Sequence, residues 1–258
     1  MTATPTVSVP GDQVRPDVVD AWAYRPYPLP AGTPRVICFP HAGGDVTAFA
    51  PLAAALAPDL EVWAVRLPAR GGRYTEAMPA GFDALVAAIV AGIGRHVRPD
   101  TVFYGQSLGA LLGYEVARAL PAGRRPRAMV AACAGAPDTW PGTVPADTLG
   151  AAALLRACGL EVDDAIRDLV VDTIRADLTV GRDYRYRPAP RPGFALHAVA
   201  ATGDPMIRRA DVARWATATT GPFSTSVEAG GHLLATPFSA GPATLLRRLG
   251  GRHDRDHD

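Results

Sequence analysis

The sequence of 258 residues contains no lysine, so all 26 of its basic side chains other than histidine are arginine. This absence excludes any mechanism that depends on a catalytic lysine or on a lysine Schiff base. The 26 basic and 25 acidic side chains give a formal net charge of +1. We therefore expect no polybasic surface and no binding of nucleic acid or anionic lipid.

Cysteine is scarce as well. Cys38, Cys133 and Cys158 form neither a CxxC pair nor a cluster with metal-ligand spacing, so no metal is expected. Their odd number and wide spacing favour a reducing compartment, where thiols act as small hydrophobic side chains. No apolar run approaches the roughly 18–20 residues that span a bilayer, and the first residues lack the pattern of a signal peptide. We expect a cytoplasmic protein without a membrane partner.

Hydrophobic residues make up 48% of the chain and occur as short apolar runs that alternate with helix-like segments. Continuous apolar strands separated by helices indicate an α/β fold with a mostly parallel central sheet and helices on both faces. The predicted strands are residues 35–39, 61–67, 101–104, 127–133, 194–202 and 223–228, and the predicted helices are 47–56, 82–93, 110–120 and 210–217, with a closing helix after Leu233.

Residues 137–187 interrupt this alternation with helix-like segments at 148–158 and 162–178 and no strand between them. A helical insertion between two sheet strands is typical of a lid over an active site. The sequence is therefore predicted to divide into a flexible N-terminal segment, a core in two parts, a lid subdomain and a flexible tail. These units are residues 1–20, residues 21–136 with 188–250, residues 137–187 and residues 251–258.

A G-x-S-x-G pentapeptide, Gly105-Gln106-Ser107-Leu108-Gly109, lies between a predicted strand and a predicted helix. In such a turn the serine takes a strained backbone conformation, and the flanking glycines remove side chains that would clash there. The hydroxyl is then exposed at the carboxyl end of the strand, and the N–H of Leu108 points toward a developing oxyanion. This context predicts an α/β-hydrolase fold with Ser107 as the nucleophile. The alternative is an ordinary strand-to-helix turn with a small serine.

A serine hydroxyl needs a base, and in this fold an acidic residue and then a histidine follow the serine along the chain. His232 follows two glycines just after the last predicted strand, where a base should stand, whereas His197 lies inside a strand. Asp204 follows the preceding strand and is the candidate to orient the imidazole. Asp211 is the alternative, but it begins a predicted helix, where an acidic residue has a capping explanation.

Acyl transfer also needs a second oxyanion donor. The loop His41-Ala42-Gly43-Gly44 follows the first predicted strand, and the N–H of Ala42 is the candidate. A glycine-rich turn before a helix could also bind a phosphate, but the loop lacks the G-x-G-x-x-G and Walker patterns of nucleotide sites. His41 in this loop and Gln106 beside the serine are candidate substrate-binding residues.

Taken together, these motifs resemble the type II thioesterases that accompany polyketide and non-ribosomal peptide synthases. Five departures from the family pattern leave every candidate catalytic group in place. Gln106 stands where His is more common, Ala69 where Gly is usual, and Leu233-Leu234 where an aromatic is common. The loop from the strand to Asp204 is shortened, and the lid is compact. The resemblance covers about residues 22–236 and includes CFPHAGG at 38–44, RLPAR at 66–70 with Arg73 and Glu76, IRAD at 174–177 with Tyr184 and Tyr186, Asp204-Pro205 with Trp215, and GGH at 230–232.

The resemblance implies hydrolysis of stalled acyl groups from the phosphopantetheine arm of acyl or peptidyl carrier proteins, through an acyl-Ser107 intermediate and a water activated by His232. It implies no metal and no bound cofactor, because the phosphopantetheine belongs to the substrate. We expect a monomer. The alternatives are an acyltransferase or cyclase that passes the acyl group to a nucleophile other than water, a generic esterase or lipase, and a non-catalytic carrier-binding module.

Overall fold

The computed structural model describes residues 15–140, 154–155, 158, 162–188, 190–234 and 240–251. The strands in these ranges are β1 (Asp17–Val18), β2 (Ala23–Arg25), β3 (Arg35–Phe39), β4 (Glu61–Val65), β5 (Val102–Gln106), β6 (Ala128–Ala132), β7 (Ala195–Ala201) and β8 (Phe223–Glu228). The helices are α1 (Ala50–Leu56), α2 (Phe82–Ile93), α3 (Leu108–Ala119), α4 (Asp164–Arg182), α5 (Arg209–Ala213) and α6 (Ala240–Gly250).

The described strands form one 8-stranded sheet in the order β1-β2-β4-β3-β5-β6-β7-β8. Strands β3 to β8 run parallel, and β1 and β2 add an antiparallel hairpin to the edge of β4. Every residue of β4, β5 and β6 is buried, because helices cover both faces of the sheet. This burial explains why the central strands are continuous apolar runs in the sequence.

Two hydrophobic cores lie on opposite faces of the sheet. One contains side chains of α2, α3 and α5, such as Leu85, Leu111 and Val212. The other contains side chains of α1 and α6, such as Leu52 and Leu246. The mostly parallel sheet with helices on both faces, which the apolar runs predict, is therefore confirmed.

Helix α4 lies between β6 and β7 in the chain, inside the segment that the sequence assigns to a lid. It begins after Asp163, whose side chain accepts the N–H of Ala165 at 2.9 Å and so caps the helix. The helix continues beyond the predicted range of 162–178 to Arg182. Most of the predicted helix at 148–158 falls outside the described residues, and the division into core and lid stays a prediction.

The N-terminal region differs from the sequence prediction, which assigned residues 1–20 to a flexible segment. Asp17 and Val18 form β1 and pair with Arg25 and Tyr24 of β2. The Asp20 carboxylate then accepts backbone N–H groups and fixes the turn between the two strands. Strands of two and three residues are too short to show an alternating pattern in the sequence. The hairpin they form is attached to the sheet by the pairing of β2 with β4. Residues 1–14, and 252–258 of the predicted tail, lie outside the described residues.

The carboxyl ends of β3, β5, β7 and β8 meet at one edge of the sheet, because these strands are parallel. The chain segments that follow these strands carry His41, Ser107, Asp204 and His232. The topology therefore places four of the predicted site residues at the same edge. Within the described ranges, every helix is too short or too polar to cross a bilayer.

Candidate active site

Ser107 occupies a strained turn between β5 and α3, with φ 54° and ψ −125°. Its N–H donates to the carbonyl of Ala132 at 2.9 Å, which ties the turn to β6. A Cβ atom on Gly105 would lie 2.3 Å from the carbonyl oxygen of Gly109, and one on Gly109 would lie 2.2 Å from the carbonyl oxygen of Phe39. Both glycines are therefore required by backbone contacts, and the turn presents the serine at the carboxyl edge of the sheet.

His232 and Asp204 form a buried pair at the same edge. Nδ1 of His232 lies 2.9 Å from Oδ2 of Asp204, and the two side chains are 2% and 3% exposed. The other carboxylate oxygen, Oδ1, accepts the N–H groups of Met206 at 2.8 Å and Ile207 at 3.1 Å. The carboxylate is thus held in place, and it directs Nε2 of His232 away from itself, as proton transfer to or from a nucleophile requires.

One cavity joins the candidate nucleophile to the candidate base. Ser107 and His232 both line it, and its volume is about 10 Å³, room for a single water molecule. Most of its wall is apolar, so it suits the carbon atoms of a substrate better than a charged group. The other lining residues are His41, Ala42, Leu154, Leu155, Cys158, Ile174 and Leu233.

The two candidate oxyanion donors lie in segments that follow adjacent strands. Leu108 is the first residue of α3, where a backbone N–H has no acceptor within the helix and points out of its positive end. Ala42 lies in a turn closed by a hydrogen bond of 2.9 Å from the Gly44 N–H to the His41 carbonyl. Gly43 occupies the third position of this turn with φ +77°, a conformation that favours glycine.

The ring of His41, the first residue of this turn, packs against Gly44, because a Cβ atom on Gly44 would lie 3.0 Å from the ring. Burial lowers the pKa of His41 to about 4, and the charges of His232 and Arg70 add to the shift. His41 is therefore neutral at physiological pH and contributes a polar but uncharged group to the cavity wall.

Gln106 takes a different position from the one that the sequence suggests. Its side chain is buried, and its amide donates to the carbonyl of His232 at 2.6 Å and accepts from the Tyr104 hydroxyl at 3.2 Å. Tyr104 and Gln106 alternate onto the same face of β5, which is covered by α1 and α6. The side chain thus supports the loop of the candidate base, and it is not among the residues that line the cavity.

The two alternative candidates, Asp211 and His197, contact residues outside the site. Asp211 forms an ion pair with Arg208, with oxygen–nitrogen distances of 2.8 and 3.0 Å. His197 lies in β7, and its ring nitrogens contact the hydroxyls of Ser224 at 2.7 Å and Ser226 at 3.0 Å. Asp204 is therefore the carboxylate that contacts His232.

Two thiols lie near Asp204. Burial and the Asp204 carboxylate raise the pKa of Cys133 well above its usual range. The same two causes raise the pKa of Cys158 to about 11. Both thiols are therefore protonated at neutral pH, so neither competes with Ser107 as a thiolate nucleophile. Across the described parts of the chain, no three His, Cys, Asp or Glu side chains are grouped to hold a metal ion.

Sequence reasoning missed a buried ion pair beside the site. Arg70, in the segment after β4, forms a two-bond contact with Asp177 of α4 at 2.5 and 2.7 Å. Both residues occur in motifs of the thioesterase resemblance, but 107 positions separate them in the chain. Only the packing of α4 against the edge of the sheet brings them together.

The sheet order, the helices on both faces and the helical insertion after β6 define an α/β-hydrolase fold. Residues 34–249 match the family model of the thioesterase domain, and the chain belongs to this family of hydrolases that act on thioesters. The resemblance that the sequence motifs indicate is confirmed.

Individual relatives agree with this assignment. The chain is similar to thioesterase PikA5 of Streptomyces venezuelae, with 30% identity over 230 residues, which cover 84% of this chain and 82% of PikA5. It is also 30% identical over 228 residues to a probable cadicidin biosynthesis thioesterase of Streptomyces griseus, covering 85% of this chain and only 63% of that protein. The type II thioesterase BorB from the borrelidin biosynthetic cluster superposes with a TM-score of 0.79 at 29% identity, covering 90% of this chain and 99% of BorB.

Proposed function

We propose that this protein is a stand-alone type II thioesterase that hydrolyses acyl groups from phosphopantetheine thioesters on acyl or peptidyl carrier proteins. The names of its relatives support a role beside a polyketide or non-ribosomal peptide synthase, since they refer to cadicidin and borrelidin biosynthesis. The similarity to the type II thioesterase BorB supports the same kind of thioesterase activity in this chain. Its task is the editing or release of acyl groups.

The first half of the reaction is acyl transfer to Ser107. His232 removes the hydroxyl proton through Nε2, and Oγ attacks the thioester carbonyl to form a tetrahedral intermediate. The N–H groups of Ala42 and Leu108 stabilise the negative oxygen. When the intermediate collapses, the C–S bond breaks and the imidazolium returns its proton to the leaving thiolate, which leaves an ester on Ser107.

The second half is hydrolysis of that ester. His232 takes a proton from water, the resulting hydroxide adds to the acyl carbonyl, and the same N–H groups stabilise the oxyanion. The bond from the carbonyl carbon to Oγ then breaks, and His232 returns the proton to Ser107. The carboxylate of Asp204 stabilises the imidazolium that forms in both halves. Neither half requires a metal or a bound cofactor.

The observation that carries this proposal is the geometry of the cavity. A serine on a strained strand-to-helix turn and a histidine held by a buried carboxylate border the same space. The apolar side chains of Leu154, Leu155 and Ile174 border it too, and they suit an acyl chain. A cavity of about 10 Å³ is too small for an acyl thioester. We therefore expect the helical insertion between β6 and β7, which carries these three side chains, to shift when substrate binds.

The proposal is tested with a carrier protein that bears a defined short acyl group on phosphopantetheine. Intact-mass measurement of the carrier should show loss of the acyl mass and recovery of the free thiol form. Replacing Ser107 with Ala should lower the rate by roughly 10³-fold or more, because the nucleophile and its proton transfer are both lost. Ser226→Ala provides a matched control, since that serine lies on β8 and contacts His197 of β7.

Other outcomes would reject the proposal in distinct ways. Equal rates for wild type and Ser107→Ala would end the assignment of the nucleophile. An amide or ester product that forms when an amine or alcohol is added would show an acyltransferase or cyclase. Faster cleavage of an oxygen ester than of the thioester with the same acyl group would show a generic esterase.

A further inference from the structure

A buried carboxylate from α4 reaches the turn that carries the candidate oxyanion donor. Oδ2 of Asp177 accepts the backbone N–H of Gly43 at 2.7 Å. Arg70 donates to both carboxylate oxygens, at 2.7 and 2.5 Å, and also donates to the carbonyl of Gly44 at 3.1 Å. The side chains of Arg70 and Asp177 are only 5% and 2% exposed. Helix and turn are therefore joined by charge-assisted hydrogen bonds out of contact with water.

The contact acts on the central peptide of the turn. Ala42 and Gly43 are its two central residues, and the positive φ of Gly43 matches the third position of a type II turn. The central peptide has the opposite orientation in a type I turn, so an acceptor for the Gly43 N–H selects one of the two forms. Asp177 is that acceptor. The peptide group that Asp177 holds joins Ala42 to Gly43, so its orientation affects Ala42 directly.

Packing reinforces the same link one helical turn earlier. A Cβ atom on Gly43 would lie 2.3 Å from Cγ1 of Ile174, so the side chain of Ile174 lies directly against the glycine backbone. Ile174 and Asp177 are three residues apart on α4 and lie on the same face of the helix. The turn therefore contacts α4 through an apolar side chain and through a carboxylate.

A purely structural role explains this arrangement poorly. A buried ion pair contributes little net stability compared with apolar side chains of similar volume, because both charges lose their hydration. The location of the pair is more informative, since it bonds to backbone atoms of Gly43 and Gly44 next to the candidate donor.

We propose that Asp177, held by Arg70, is a positioning residue that fixes the oxyanion turn from helix α4. The N–H of Ala42 is then in place for the tetrahedral intermediate only while α4 is seated on the turn. Acyl transfer is coupled in this way to the position of the helical insertion. This inference rests on the proposed function, because it assigns the turn to stabilisation of an acyl oxyanion.

Two variants test the proposal. Asp177→Asn removes the charge and retains one acceptor, while Arg70→Met with Asp177→Leu replaces the pair with apolar side chains and removes the acceptor for the Gly43 N–H. The double variant is the decisive one, since apolar replacements of buried pairs usually preserve the fold. Active sites are counted by complete labelling of the serine with a fluorophosphonate, so that kcat refers only to folded enzyme.

We expect the double variant to have a kcat per labelled site that is roughly 10- to 100-fold below wild type with a small change in KM, because a displaced donor weakens the transition state more than the ground state. Inhibition by an alkyl boronic acid should weaken by a similar factor, because its tetrahedral adduct places an oxygen against the same donors. The decrease for Asp177→Asn should be smaller. Tyr184→Phe is the matched control, since it removes a bond of 2.7 Å from the segment after α4 to Glu115 of α3.

A double variant that labels fully and keeps kcat within about twofold of wild type would overturn the proposal. An unfolded double variant would also overturn it, because the pair would then be structural. The rate of the wild type on an acyl carrier reports on the proposed function. The ratio of variant to wild-type fluorophosphonate labelling rates reports on the pair of Arg70 and Asp177 and does not depend on carrier hydrolysis, so the two failures are distinguishable.

Discussion

The backbone of the nucleophile turn leaves no room for a side chain two residues before or two residues after the serine. The atoms that a Cβ on Gly105 would meet are the carbonyl of Gly109 and the Cα of Ala110, at 2.3 and 2.6 Å. These are backbone atoms at the start of α3, so a change of rotamer cannot relieve the contact. The strained conformation of Ser107 is thus maintained by close packing between β5 and α3.

Replacing Gly105 with Ala should therefore prevent native folding or destabilise it by more than about 4 kcal/mol, which is exceptional for a single substitution. Gly123→Ala is the control, since a Cβ atom there would meet nothing within 4 Å. Soluble yield and urea unfolding of the two variants provide the comparison. Native stability and full activity of the Gly105 variant would contradict the geometry of the turn.

Gln106 offers a second prediction for a single residue. Gln106→Leu leaves the His232 carbonyl and the Tyr104 hydroxyl without the partners they have in the native protein. The loss should cost about 1–3 kcal/mol of the free energy of unfolding, because buried polar groups would remain unsatisfied. Urea unfolding measures this cost, with the exposed Thr244→Ala as a control that should change it by less than about 0.5 kcal/mol. A Gln106 variant as stable as wild type would refute the supporting role.

Helix α4 is exposed at its start and buried at its end. Ile166 and Leu169 are 50% and 43% exposed, whereas Ile174 is 2% exposed and Val180 is 6% exposed. The end of the helix is also held by Trp140, whose indole N–H donates to the carbonyl of Gly181 at 3.0 Å. The residue of α4 that lines the cavity, Ile174, therefore belongs to the buried part of the helix.

Shortening Ile174 should change which acyl groups the enzyme accepts. Ile174→Ala removes side-chain volume from the cavity wall, so kcat/KM for branched or longer acyl thioesters should rise relative to acetyl by roughly 10-fold or more. Competition between two acyl thioesters measures the ratio directly. Ile166→Ala on the same helix is the control and should leave the ratio unchanged. The same ratio in both variants would show that Ile174 does not limit the acyl group.

Across the whole molecule, histidine burial makes stability depend on pH. Burial lowers the pKa of His197 to about 4, and the charge of Arg248 adds to the shift. An unfolded chain has a histidine pKa of about 6.5, so between these values the unfolded state binds a proton that the native state does not. The free energy of unfolding should therefore decrease as the pH falls through this range. Burial of His41 acts in the same direction.

His197→Gln should remove about 2 kcal/mol of the decrease in unfolding free energy that wild type shows between pH 7 and pH 5. Urea unfolding at several pH values gives the two slopes. The comparison is of slopes and not of absolute stability, since the substitution also alters contacts with Ser224 and Ser226. Identical slopes would show that His197 titrates normally in the native protein.

Much of this architecture follows from local sequence patterns. Ser107, Asp204 and His232 could each be proposed because each follows a predicted strand, and parallel strands end at a common edge. The direction of the Gln106 side chain depends on which face of β5 each helix covers, which no local pattern contains. The contact between Arg70 and Asp177 depends on the docking of α4, so local sequence patterns could not predict it either.

The central claim is that Ser107 carries the acyl group during turnover. Its most direct test is rapid quenching of the enzyme with an acyl carrier thioester, followed by intact-mass and peptide mapping. We expect the enzyme to gain the mass of one acyl group, located on the peptide that contains Ser107, and to gain none in the Ser107→Ala variant. Turnover with the acyl group on another residue, or an unchanged adduct in the Ser107→Ala variant, would contradict the claim.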